Sequence, residues 1–253
     1  MKKGRTAGIP AWKRGLLVGM IGLMAVGAAA GIRDRQAERE GQRAMVMGEA
    51  PGEKGQSLQD AGKQTQKRET KKIALTFDDG PHPYYTEELL DGLAERNVKA
   101  TFFLLGQNIE GREEIIKRMA EEGHLIGNHT YYHVDITRLE DEEACREILD
   151  TSEKITAITG QPVEYIRPPF GNWDKELECE VTMLPIFWSV DTLDWTTRNV
   201  DQIVQKVVTD IEENDIILMH DSYDSTVKAA LRIIDLLQAE GYEFVTADEL
   251  ILE

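Results

Sequence analysis

Residues 71–253 predict an α/β fold, a small or incomplete β/α barrel of mostly parallel strands with helices outside. Three observations carry this. Short apolar runs alternate with longer runs of helical spacing, about seven times over 183 residues. Turn residues punctuate the joints between them. Five short stretches that hold most of the rare reactive side chains fall at the ends of predicted strands, where barrels gather their functional groups.

The elements follow in order. Residues 72–77 form an apolar run stopped by Asp78-Asp79-Gly80-Pro81, a strand entering turn residues. Residues 86–97 have helical spacing, with Leu89, Leu90 and Leu93 on one side and charges opposite. A second strand is predicted at 100–105, and a helix at 109–122 with Gly123 as its stop. A third strand covers 124–128, and a longer helix covers 140–159, ended by Gly160 and Pro162. Strands at 165–167 and 186–190 come next, then a helix at 200–213 and a strand at 215–219. A helix at 226–240 and a last strand at 244–245 complete the pattern.

The amino-terminal 70 residues read differently. Residues 1–14 are a basic flank, with Lys2, Lys3, Arg5, Lys13 and Arg14, and Trp12 as an interfacial aromatic. Residues 15–32 carry no charged or polar side chain and are 18 long, at the short end for a membrane-spanning helix. Two export readings follow: a retained signal anchor, which is preferred, or a signal peptide cut after Ala28-Ala29-Ala30. Either places the body outside the cytoplasm, membrane-bound in a single pass or secreted. Residues 33–70 lack aromatics and apolar periodicity and read as a flexible spacer. A coil of that length reaches roughly 30–37 Å, towards a wall layer.

Charge is unevenly divided. Residues 1–70 carry 13 basic and 7 acidic side chains, and the remainder carries 16 basic and 39 acidic. An acidic body argues against a nucleic-acid partner and against docking on an anionic bilayer. Cys145 and Cys179 match no zinc-ligand spacing. Export would permit one disulfide between them, but nothing in the sequence brings them together, so two unpaired or buried thiols are expected.

The reactive stretches are Thr76-Phe77-Asp78-Asp79-Gly80, His129-Thr130-Tyr131-Tyr132-His133, Arg167-Pro168-Pro169-Phe170-Gly171, Asp191-Thr192-Leu193-Asp194-Trp195 and Leu218-Met219-His220. Singly each has an ordinary explanation: a turn, a structural histidine pair, a strand exit, packing. Together they suggest a metal-centred hydrolase. Two histidines and one carboxylate leave an ion a position for water. One of Asp78 and Asp79 can ligate while its neighbour takes a proton from bound water. Thr130 follows His129, so this is not the His-Glu-x-x-His protease pattern, where the glutamate is the base. His82 reads as either a rim contact or a solvent-exposed loop residue, His124 as a strand start, and Trp173 as either a sugar-stacking or a packed aromatic.

These five stretches, in this order, make the region from residue 72 onward resemble the polysaccharide deacetylases, the NodB-homology domain of carbohydrate esterase family 4. The resemblance spans about 180 residues. It implies a distorted (β/α)7 barrel. Asp78 would be the general base, and Asp79, His129 and His133 would bind one divalent metal, Zn2+ first, with Co2+, Ni2+ and Fe2+ open. Arg167 would orient Asp78, supported by an acid of the fourth stretch, Asp194 first and Asp191 second. Trp195 and Leu218 would wall a pocket for the acetyl methyl, and His220 would be the general acid. The third motif usually carries Tyr where this chain has Phe170, so a role through the backbone N–H is implied there and a phenol role is not. The implied activity is removal of N-acetyl groups from an extracellular polysaccharide, peptidoglycan N-acetylglucosamine first. Chitooligosaccharides and O-acetyl xylan are the alternatives, and an inactive wall-binding module is the non-enzymatic one.

Overall fold

The computed structural model describes residues 70–173, 177 and 183–252. The basic flank, the apolar segment and all but the last residue of the spacer lie outside the described residues, as does Cys179. Eight strands form one parallel sheet: β1 (Lys71–Gly80), β2 (Thr101–Leu104), β3 (Leu125–Asn128), β4 (Tyr165–Ile166), β5 (Leu184–Pro185), β6 (Val190–Asp191), β7 (Ile216–His220) and β8 (Tyr242–Val245). The helices are α1 (Tyr85–Glu95), α2 (Glu113–Glu121), α3 (Asp141–Thr159), α4 (Val200–Val208), α5 (Asp224–Ala239) and α6 (Ala247–Ile251).

The sheet order is β5-β4-β3-β2-β1-β7-β6, with β8 pairing β1 off this path. Ala74 is level with both Ile216 of β7 and Val245 of β8, so β7 and β8 occupy opposite edges of β1. No ladder joins β5 to β6 among the described residues. The architecture is a parallel-strand half-barrel, in keeping with the incomplete barrel that the sequence predicts.

β1 is buried on both faces, and its alternation sorts the molecule into an outside and an inside. Ile73, Leu75 and Phe77 join Leu89, Leu90 and Leu93 of α1, Ile116 and Met119 of α2, and Ile233, Ile234 and Leu237 of α5 in the main core. Ala74 packs on the other face with Phe103, Tyr165, Ile186 and Ala247. Two polar side chains continue that inner row, Thr76 and Asp78, both buried. The hydrophobic packing thus ends, towards the carboxyl ends of the strands, in a polar layer.

Some elements differ from expectation, among them the helix predicted over 200–213, which ends at Val208. The apolar run 186–190 forms no continuous strand; β5 and β6 flank it. Its carbonyls at Ile186 and Phe187 instead accept from the Arg167 guanidinium at 3.1 Å each. The helix predicted from 109 begins at Glu113, after a 3-10 turn at Gly106–Asn108. Helix α6 was not predicted, although Thr246 and Glu249 form the capping box its sequence spells. One further correction concerns Cys145 on α3, which is disulfide-bonded and not a free thiol. The chain has one other cysteine, Cys179.

Gly127 in β3 gives a test of this packing. A Cβ there would lie 2.5 Å from Cδ1 of Phe103, in the inner core. Gly127→Ala is expected to cost about 1–3 kcal/mol by overpacking and to lower the melting temperature by roughly 2–10 °C. An unchanged melting temperature in circular dichroism would contradict the β2–β3 register.

Candidate metal centre and active site

The site begins with a local irregularity in β1. In a regular strand Asp78 and Asp79 would point to opposite faces. The register with β2 shifts between Asp78 and Gly80, and Asp79 has φ 70°. Such a bulge re-aims a side chain and lets both carboxylates serve one site. Of the seven non-glycine residues with positive φ among the described residues, five lie in the reactive stretches: Asp79, Thr130, His133, Phe170 and Leu193. Backbone of this kind costs about 1–3 kcal/mol per residue and persists only where the surroundings over-determine it.

Here the surroundings do so. Leu105 N–H donates to the Gly80 carbonyl at 3.1 Å, and the Asn108 side chain donates to the Asp79 carbonyl at 2.8 Å. On the histidine loop, Asn128 is anchored to Ile148 O and Ser152 Oγ of α3 and accepts from Thr130 N at 2.7 Å. Glu147 of α3 accepts from Tyr131 N and Tyr132 N at 2.9 and 2.8 Å.

His129, His133 and Asp79 then converge, each offering a ligand atom within 4.8 Å of the others. Asp79 Oδ1 lies 3.5 Å from His129 Nε2 and 3.6 Å from His133 Nε2. It is buried and has no hydrogen-bond partner among the described residues. Ligand atoms on a tetrahedral zinc, at bond lengths of about 2.0–2.2 Å, stand roughly 3.3–3.6 Å apart. The residues therefore fit a small divalent ion. His129 Nδ1 pairs with the Arg167 carbonyl at 2.6 Å, which leaves Nε2 as the coordinating nitrogen. Burial, and then the neighbouring His129, lower the His133 pKa, which favours the neutral imidazole a metal needs.

Asp78 is held apart from this cluster. Its Oδ1 accepts from Arg167 Nη1 at 2.9 Å, and its Oδ2 is 3.7 Å from His129 Nε2. Arg167 is fully buried. It also donates to Thr76 Oγ1 and to the two carbonyls already named, and its guanidinium lies 4.3 Å from the Phe103 ring centre. Burial lowers its pKa, and the Asp78 charge opposes that.

Asp194 does not brace Arg167, which corrects that expectation. Arg167 takes its support from Thr76 and two backbone carbonyls instead. Asp194, fully buried, pairs Oδ1 with His220 Nδ1 at 2.8 Å, while Oδ2 accepts from His220 N and Thr226 Oγ1, also at 2.8 Å. Burial alone would lower the His220 pKa. The Asp194 hydrogen bond and charge, with Asp78 and Asp79, outweigh it and raise the imidazole to about 9. Burial likewise works to raise Asp194, but the His220 and Thr226 contacts hold it below the ordinary carboxylate range. Asp191, the second choice, caps the Leu193 N–H at 2.9 Å.

Asp78, Asp79, His129, His133 and His220 open on one cavity of about 350 Å3. Phe170, Trp195 and Leu218 line it too, Phe170 and Trp195 largely exposed and Leu218 buried. The Phe170 ring sits edge-on to His133 at 4.8 Å. Sequence reasoning missed Trp188 and Tyr223, which line the same cavity. It also missed Asp221, fully buried beside His220, which accepts from the Thr86 hydroxyl. Burial pushes the Asp221 carboxyl up to about 7. A Cβ on Gly80 would come within 2.8 Å of it, so that glycine is required by contact with Asp221. The other residues singled out are structural: His82 Nδ1 accepts from Tyr84 N and Tyr85 N at the start of α1, His124 Nδ1 accepts from Ala100 N, and Trp173 packs near Ile136 and Ala144.

These features define a class: parallel-strand α/β proteins that gather carboxylate and imidazole side chains at the carboxyl ends of their strands. Within that class a family profile for polysaccharide deacetylase matches residues 65–185. The peptidoglycan-N-acetylglucosamine deacetylase PgdA of Listeria monocytogenes is 41% identical over 180 residues, 71% of this chain and 39% of that protein. A chitooligosaccharide deacetylase of Bradyrhizobium sp. is 36% identical over 192 residues, 69% of this chain and 88% of that protein. Among solved structures, the peptidoglycan deacetylase PdaC of Bacillus subtilis superposes with a TM-score of 0.69 at 40% identity, covering 72% of this chain and 90% of that one. The chain belongs to the polysaccharide deacetylase family. It spans about two-fifths of the length of the Listeria relative.

Proposed function

We propose that the chain is a metal-dependent hydrolase that removes N-acetyl groups from amino sugars of an extracellular polysaccharide, with peptidoglycan N-acetylglucosamine the leading substrate. The observation that carries this is the division of labour at residues 78 and 79. Asp78 is gripped by buried Arg167, while Asp79 turns an unpartnered oxygen to His129 and His133. The names of the relatives supply the bond and the polymer.

Asp79, His129 and His133 would hold the ion, which when bound acidifies a water and draws charge from the acyl oxygen. Zn2+ suits two imidazoles and a carboxylate, and Co2+, Ni2+ and Fe2+ suit them as well. Asp78 takes the proton of the attacking water, with Arg167 keeping its Oδ1 occupied and its Oδ2 towards the site. The acetyl methyl rests between Trp195 and Leu218. A backbone N–H near Phe170 would stabilise the oxyanion. His220, kept protonated by Asp194, donates to the leaving amine as the carbon–nitrogen bond breaks, giving acetate and a free amino sugar.

A membrane anchor or signal segment at 15–32 and a spacer at 33–70 would place this body at the cell wall. The second reading is a chitooligosaccharide deacetylase, favoured by the Bradyrhizobium relative, of which the matched region covers 88%. Acetate release from purified peptidoglycan, defined chitooligosaccharides and acetylated xylan, each with Zn2+, Co2+ or Ni2+ supplied, separates the readings. Peptidoglycan is expected to give the highest kcat/KM, and a chelator to abolish release. No acetate from any polymer with any metal would sink the deacetylase reading.

A further inference from the structure

The deacetylase reading leaves one wall of the cavity without a role. Tyr223 stands three residues after His220, occupies the N-cap position of α5 and lines the cavity with His220, Trp195 and Leu218. It is half-buried, and a cation lies against its ring. The Arg198 guanidinium carbon sits 3.3 Å from the ring centre, and Arg198 Nη1 donates to the Asp194 carbonyl at 2.8 Å. Asp194 is the residue that grips His220. One side chain thus ties Tyr223 to the same loop that fixes the proton donor.

The direction of the chemistry shows what this wall meets. The acyl carbon must lie between Asp78 and His220, and the methyl goes to Trp195 and Leu218. The leaving nitrogen lies on the His220 side, because that imidazole protonates it. The pyranose ring is bonded to this nitrogen, so it must occupy the same side. At about 350 Å3 the cavity is near the lower bound for small-molecule sites, roughly 300–1,000 Å3, which suits a single sugar residue. An aromatic ring suits the apolar C–H face of a pyranose, and a ring already packed against a guanidinium loses little freedom on binding.

We propose that Tyr223, packed against Arg198, is the platform for the pyranose ring that bears the acetamido group, a sugar-selective contact separate from the acetyl pocket. The proposal rests on the deacetylase reading for the placement of the nitrogen.

The test compares Tyr223→Ala, Tyr223→Phe and Arg198→Ala with the full chain on two substrates: N-acetylated chitotetraose, and 4-nitrophenyl acetate, which presents an acetyl group and no sugar. The ratio of kcat/KM on chitotetraose to that on the ester is expected to fall about tenfold in Tyr223→Ala, through KM rather than kcat. Tyr223→Phe, which keeps the ring, is expected to restore the ratio, and Arg198→Ala to fall between. A ratio unmoved by Tyr223→Ala overturns the platform, as does a loss that appears in kcat alone. Calorimetric titration of chelator-treated protein with chitotetraose keeps the two readings apart. If no substrate is turned over, weakened binding in Tyr223→Ala still supports the platform while the deacetylase reading falls. Equal binding overturns the platform.

Discussion

Asp78→Asn is expected to lower kcat on an N-acetylated glycan by roughly 10²–10⁴-fold, the usual contribution of a positioned general base. Binding of a divalent ion at Asp79, His129 and His133 is expected to persist. The two halves of this prediction rest on different geometry. Asparagine keeps the shape of the side chain and an oxygen for Arg167 Nη1, now 2.9 Å from Asp78 Oδ1, but it cannot take a proton from water. The metal half matters because Asp78 Oδ2 is 3.7 Å from His129 Nε2, only 0.2 Å further than Asp79 Oδ1 at 3.5 Å. Distance alone does not separate base from ligand. Hydrogen bonding distinguishes the two carboxylates: one Asp78 oxygen is committed to Arg167, whereas Asp79 Oδ1 has no hydrogen-bond partner among the described residues. The substitution also leaves the fully buried Arg167 without its counter-charge. Removing one member of a buried pair costs about 3–5 kcal/mol, so the variant should melt at lower temperature. Assays are therefore run well below its melting temperature, with zinc affinity measured by calorimetry. Retained turnover would place the base elsewhere, and lost zinc affinity would make Asp78 a ligand.

What the chain disclosed in advance was chiefly what depends on local order. The apolar run of β1 was legible, because a strand buried on both faces reads as a near-continuous apolar stretch. So was the placement of reactive residues at strand ends, since motif and strand exit are neighbours in sequence. The bulge at Asp79 was not, for it arises from the register with β2, a contact between distant segments. Residues 186–190 read as a strand because nothing local reveals that a guanidinium will capture two of their carbonyls. Asp194 and Asp191 are equivalent by spacing alone. Thr226 and the His220 N–H, both supplied by later parts of the chain, decide between them. Asp221 and Tyr223 had no signal at all, since their partners Thr86 and Arg198 lie elsewhere in sequence. The α6 capping box was the one local signal present and not used.

The Asp194–His220 pair carries the second large effect. Asp194→Asn is expected to reduce kcat by roughly 10²-fold or more near neutral pH, and the deficit should grow as pH rises. His220 stands at about 9 because Asp194 holds its Nδ1–H and supplies the nearest negative charge. Asparagine can still accept from Thr226 and the His220 N–H, so the loop should keep its shape. It cannot stabilise the imidazolium, and burial, which disfavours charge, then dominates. The alkaline limb of the kcat profile should shift to lower pH by roughly 1–3 pH units relative to the wild-type chain loaded with the same metal. Activity at about pH 6 should suffer less than activity at about pH 8. Stability follows the same groups with a definite sign. His220, raised when folded, contributes fully below its unfolded value of 6.5, and that contribution is lost as pH rises through about 9. Asp194, lowered when folded, contributes above its unfolded value of 3.8, and that contribution is lost as pH falls through the folded one. The melting-temperature gap between the wild-type chain and Asp194→Asn should therefore be widest in the mildly acidic range between those two ordinary values. It should narrow towards about pH 9 and again in strong acid. A gap that is flat from mildly acidic pH to about pH 9, together with an unmoved alkaline limb, would mean that Asp194 shapes the loop but does not hold the proton on His220.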